Sequence, residues 1–112
     1  METKDLGKTS TGIQPNVAAL LSYVLGFITG VIFYLIEKEN KFVRFHAMQS
    51  IVVFGSLFVV GLVVPFLPGV NLVLMPLLWA AEIVLWVVLM IKAYQGEMFK
   101  LPVAGDIAEK NS

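Results

Sequence analysis

Three long apolar segments set the layout of the chain. Val17 to Ile36 is twenty residues without a charge, Ala47 to Leu67 is twenty-one, and Val70 to Ile91 is twenty-two with one carboxylate, Glu82. At about 1.5 Å per helical residue, each is long enough for a hydrocarbon core of about 30 Å. The pattern predicts an all-α integral membrane bundle of three transmembrane helices with short polar tails. Pro65, Pro68, Gly69 and Asn71 interrupt the apolar run after the second segment, which predicts a tight turn between antiparallel helices. Pro76 either bends the third helix, if Asn71 caps it, or starts it. Residues 1–16 read as a mobile polar tail, 17–96 as the membrane domain with spans at 17–36, 47–67 and 70–91, and 97–112 as a cytoplasmic or interfacial tail. Gly96 is the expected C-cap residue.

Composition agrees with a membrane class: of 112 residues 58% are hydrophobic and only 14% charged, where soluble domains carry about 25% charge. Zero net charge and no long basic run argue against nucleic acid as a partner. With no Cys there is no thiol nucleophile or thiolate metal site, and a lone His46 without a second ligand at spacing predicts no metal. No HExxH, GxSxG or phosphate-loop pattern occurs. The expectation is therefore a protein without cofactor and without enzymatic activity.

Charge distribution predicts orientation. Three spans place the termini on opposite sides, with Lys38, Lys41, Arg44, Lys92, Lys100 and Lys110 on one side and Lys4 and Lys8 on the other. The excess predicts a multi-pass cell-membrane protein with its C-terminus cytoplasmic and its N-terminus outside.

Two further features concern packing and chemistry. Ala18, Ser22, Gly26 and Gly30 recur every fourth position and predict a small-residue face for close helix contact, within the bundle or against a second copy. Glu82 is an intramembrane acid, with Ser56 and Thr29 at similar depth as its expected hydrogen-bond partners. His46, Gln49 and Ser56 fall on one helical stripe about 80° wide, a polar seam toward Glu82. A proton- or cation-binding role at Glu82 is the functional reading, and a bundle lock is the plainer one. Trp79 and Trp86 flank Glu82 at i−3 and i+4. Packing explains them more simply than a cage for a cation.

The runs LLSYVLGFITGVIFYLIEKENKFVRFHAMQS and KAYQGEMFKLPVAGDIAEK resemble the small prokaryotic membrane proteins of the uncharacterised Tic-twenty-like family. That family is named for distant similarity to a chloroplast inner-envelope import subunit. The resemblance implies a scaffold or assembly component related to membrane protein transport, although the plastid relatives have four membrane helices and this chain supplies three. It marks two motif blocks, from which a cytoplasmic site is expected at Lys41, Phe42, Arg44, Phe45, His46, Gln49, Tyr94, Gln95, Gly96, Lys100, Pro102 and Asp106. Lys41 and Arg44 would either pair with Glu97, Asp106 or Glu109 or reach headgroups, with Phe42 and Phe45 anchoring the boundary. The expected partners are membrane lipids, a second copy or another membrane protein. The rival reading is a small oligomeric transporter or channel using Glu82.

Overall fold

The computed structural model describes residues 6–112 as α1 (Pro15–Val24), α2 (Phe27–Ile36), α3 (Lys41–Val63), a 3-10 turn (Val64–Phe66), α4 (Asn71–Tyr94) and α5 (Ala104–Lys110). The first apolar segment is thus two helices and not one span. The break falls at Gly26, whose φ of 62° and ψ of −134° are open to glycine and strained for any side chain. Here the chain reverses. Ala18 packs in one cluster with Phe33, and Ser10, just before α1, bonds Glu37, just after α2. Ten helical residues rise about 15 Å, so α1 and α2 form a hairpin whose arms are about half the length that a bilayer crossing needs.

Among the described residues, only Lys41–Phe66 and α4 are long and apolar enough to cross a membrane. Two helices long enough to cross and a hairpin of shorter apolar helices stand where the apolar pattern predicts three spans. α3 starts six residues before its apolar run because Asn40 caps it, its side-chain oxygen accepting from Val43 N at 3.0 Å. The predicted turn is present, with Gly69 at φ 77°, and α4 starts at Asn71, so Pro76 lies inside the helix. At the other end of α4, Glu97 N bonds Lys92 O and Gly96 N bonds Ala93 O. This is the Schellman pattern, with Gly96 at φ 80°.

The core lies toward one end. Tyr23, Phe42, Phe54, Leu89 and Ala93 form its main cluster, and Ala18, Phe33, Val43 and Ala47 a second. Beyond it, the outer halves of α3 and α4 expose Val59, Leu62, Leu72, Leu77 and Val84, and α2 exposes Ile28, Ile32 and Leu35. Such belts are unfavourable in water and ordinary against lipid.

The small-residue face is divided by the break. Ala18 and Ser22 are buried on α1 and Gly30 on α2, where an added Cβ would stand 2.9 Å from Ala47 O. The ridge therefore packs inside the molecule. The N-terminal tail is also packed from residue 6 onward: Asn40 Nδ2 donates to Leu6 O and Lys8 O, and Ser10 Oγ accepts from Lys38 N and Glu39 N. The part of the expected mobile tail at residues 1–5 lies outside the described residues.

Candidate functional site

A bent helix pair ending inside a membrane leaves backbone groups that water cannot satisfy. Here side chains from neighbouring helices supply the partners. Ser50 Oγ donates to Gly26 O at 2.8 Å, and Trp86 Nε1 donates to Tyr23 O at 2.8 Å. Thr29 Oγ1 accepts from Leu25 N at 3.1 Å. Thr29 thus serves the hairpin tip and not Glu82.

Along the hairpin, between its tip and its open end, the two motif blocks meet. The Glu97 carbonyl can only accept, so His46 Nε2, at 2.8 Å, carries the proton. Nδ1 then accepts from the Tyr23 hydroxyl at 2.6 Å. That hydroxyl accepts in turn from Gln49 Nε2 at 3.1 Å. Gln49 also donates to Phe99 O at 2.8 Å and accepts from Leu101 N at 3.0 Å. Tyr23, His46 and Gln49 are completely buried, and every polar atom of the trio has a partner. The network straps segment 97–101 across the bundle. It absorbs the seam expected toward Glu82, because His46 and Gln49 point to this segment while Ser56 is exposed.

A second set of bonds closes the open end of the hairpin. Arg44 donates to Tyr34 O and Glu37 O, the last carbonyls of α2, at 3.0 and 2.8 Å, and to Ser112 O at 3.1 Å. Its guanidinium lies 4.1 Å from the Tyr34 ring centroid. Arg44 therefore caps a helix C-terminus and does not pair with the acids of the tail. Those acids bind elsewhere: Glu97 to Lys92 at 3.3 Å, and Asp106 and Glu109 to Lys100 at 3.3 and 3.1 Å. Hydrogen bonds from Lys100 to Glu109 and then Asp106 hold its ammonium above the usual lysine range. Lys41 is exposed. Phe42 and Phe45 are buried against His46, with centroids at 4.7 and 5.1 Å, and anchor no boundary.

The rest of the tail follows from close packing. Gly105 lies against Lys100, where an added Cβ would come 2.7 Å from Lys100 Cα. Pro102, Val103 and Ala104 form a γ-turn, Ala104 N bonding Pro102 O at 2.7 Å around Val103 at φ 66°. Tyr94 O accepts from Asn16 Nδ2 at 3.1 Å, and Gln95 closes α4.

The anchors not singled out from the sequence are Tyr23, Glu37, Asn40 and Ser10. Glu37 is completely buried, and its Oε2 accepts from Ser10 N, Asn40 N and Glu39 N at 2.7, 3.0 and 3.1 Å. Burial pushes its carboxyl upward, but these hydrogen bonds together outweigh burial and hold it below the usual carboxylate range. A hydroxyl within an apolar run, at Tyr23, and an Asn just before a helix start, at Asn40, are the signals that would have found two of them.

Glu82 stands apart from this cap. It is half-buried, is hydrogen-bonded to no described residue, and lines two clefts of about 230 and 220 Å³ beside α4.

The model of the magnetosome magnetite crystal formation protein family matches residues 10–108. A UPF0132 membrane protein of Methanocaldococcus jannaschii is 51% identical over 107 residues, 96% of each chain. One from Archaeoglobus fulgidus is 47% identical over 98 residues, 88% of this chain and 95% of the relative. No solved structure matches. The Tic-twenty-like relationship that the motif blocks suggest finds no support in these matches. With nearly the whole length matched, the chain belongs to the magnetosome magnetite crystal formation protein family and, within its relatives, to the UPF0132 membrane proteins.

Proposed function

We propose that this is a non-enzymatic multi-pass protein of the cell membrane whose folded, charged cap faces the cytoplasm and holds the chain in a larger membrane assembly. One observation carries the reading: segments 6–14, 37–40 and 95–112 converge at one end of the bundle through the bonds of Asn40, Glu37, Arg44 and His46. All Lys and Arg among the described residues lie there, and the 64–70 turn at the other end has none. The positive-inside rule then favours a cytoplasmic cap, with the N-terminal segment on the same side as the C-terminus. This reverses the outside N-terminus expected from three spans.

The exposed apolar belts suit lipid, and the rigid solvent face of the cap suits a membrane-protein partner or a second copy. The family name refers to magnetite crystal formation. Among the described residues no group of three or more His, Cys, Asp or Glu converges to hold a metal, and the proposal rests on the cap instead.

The absence of native Cys makes single-cysteine mapping clean. In intact cells, cysteines at positions 8, 41 and 110 are expected to resist an impermeant maleimide while one at position 69 reacts; labelling at 41 or 110 overturns the orientation. A photo-crosslinker at the exposed Met98 is expected to give one protein adduct of fixed mass. Lipid adducts alone would remove the assembly role.

A further inference from the structure

We propose that one flank of the cap, formed by Lys8, Lys38 and Lys41, is a docking surface for the headgroups of anionic phospholipids in the membrane that holds the protein. The charges of the cap are sorted. On the side of the C-terminal tail, Lys92 is paired with Glu97, and Lys100 with Asp106 and Glu109. Arg44 is occupied by helix-end carbonyls. Lys8, Lys38 and Lys41 are all exposed, and among the described residues none of them forms an ion pair. Lys110, exposed and likewise without an ion pair, extends this flank, because the carbonyl of the next residue, Asn111, accepts from the Tyr34 hydroxyl on the last turn of α2 at 2.6 Å.

The fold gathers these lysines. Asn40, between Lys38 and Lys41, donates to Lys8 O at 3.1 Å, and Ser10 Oγ accepts from Lys38 N at 3.0 Å. Two acids share the loop. Glu37 is completely buried, its charge met by the N–H groups of Ser10, Glu39 and Asn40, and Glu39 is exposed. An excess of positive charge therefore faces outward. Its level is set by α2, which exposes Leu35 and Ile36 up to its last residue, with Lys38 two residues further on. A lysine stem at such an edge lies along hydrocarbon while its ammonium meets a phosphate. Anionic headgroups attract lysines placed at this level. A phosphate tethered in the bilayer is also presented there at high effective concentration, which a soluble anion is not. The surface goes beyond the assembly role and does not depend on it, since a crosslink from Met98 tests the tail side of the cap.

Native mass spectrometry of the full chain reads the preference, with phosphatidylglycerol and phosphatidylcholine of the same acyl chains present in equal amounts in the micelles. Phosphatidylglycerol adducts are expected to prevail several-fold. Lys8→Gln, Lys38→Gln and Lys41→Gln should each lower that preference by up to about fivefold, and the three together should remove it. Their side chains hold no hydrogen bond among the described residues, so circular dichroism is expected to stay unchanged. Lys8→Arg, Lys38→Arg and Lys41→Arg together keep the preference, and Lys92→Gln, on the paired side, leaves it unchanged. Equal uptake of the two lipids by the parent, or an undiminished preference in the triple glutamine variant, overturns the proposal. So does displacement of phosphatidylglycerol by an equal concentration of inorganic phosphate, which assigns the surface to a soluble anion. A dimer present in the parent and lost in the triple glutamine variant also overturns it, in favour of a second copy.

Discussion

Replacing Gly30 with alanine tests the hairpin of α1 and α2 directly. The new Cβ would stand 2.9 Å from Ala47 O, 3.0 Å from Ser50 Cβ and 3.1 Å from Ser50 Oγ. Two of these neighbours belong to α3 backbone or are fixed to it, so neither can swing aside. The third, Ser50 Oγ, is engaged with Gly26 O at 2.8 Å. The helices must separate by a few tenths of an ångström, an overpacking cost of about 1–3 kcal/mol. Losing the Ser50 bond to the hairpin tip adds about 1 kcal/mol. Gly30→Ala is thus expected to destabilise by about 2–4 kcal/mol, read by SDS titration of the protein in mixed micelles with circular dichroism. Gly55 has nothing within 4 Å of its added Cβ, so Gly55→Ala stays within about 0.5 kcal/mol of the parent. Adding Ser50→Gly to Gly30→Ala removes two of the three close contacts and recovers part of the loss. If Gly30→Ala were as stable as Gly55→Ala, α2 and α3 would not approach this closely and the hairpin would be wrong.

Tyr23→Phe leaves His46 Nδ1 without its donor and costs about 1–3 kcal/mol; hydrogen exchange at the Leu101 amide should accelerate, and an unchanged rate would show that the trio does not hold the strap. Glu37 has a folded-state pKa below its unfolded value of 4.5, so its stabilising contribution is present above that value and is lost as pH falls through the folded one. Glu37→Gln should therefore flatten the acid limb of a stability profile, and an unaltered limb refutes the role. Val103 sits at φ 66° and is 71% exposed, so Val103→Gly relieves backbone strain with little lost packing. A gain of about 1 kcal/mol is expected in the same titration, and a loss would count against the γ-turn.

Local rules made the ends of elements legible. Gly96 as a helix stop, the Pro-Gly turn at 65–71 and the long helix through Glu82 follow from propensities acting within a few residues. The specific residues of the two motif blocks were also visible, although their roles were not. The sequence leaves Arg44 to either carboxylates or headgroups, and it finds helix-end carbonyls instead, because α2 terminates next to it in space. The headgroup alternative puts Phe42 and Phe45 at the boundary, and both are buried against His46, Phe42 within the cluster that holds Ala104 of the C-terminal segment.

The sequence by itself determined that the chain is helical, apolar enough for lipid and charged around its connector and tails, since composition and periodicity are additive along the chain. Tertiary structure decided the path. Twenty apolar residues are equally compatible with one full crossing or with two half-crossings, because hydropathy measures transfer into lipid and is blind to direction. What selects the reversal at Gly26 is non-local: Ser50 from α3 and Trp86 from α4 supply the hydrogen bonds that a broken helix needs inside a membrane. That one choice brings the N-terminal segment to the same end as Ser112.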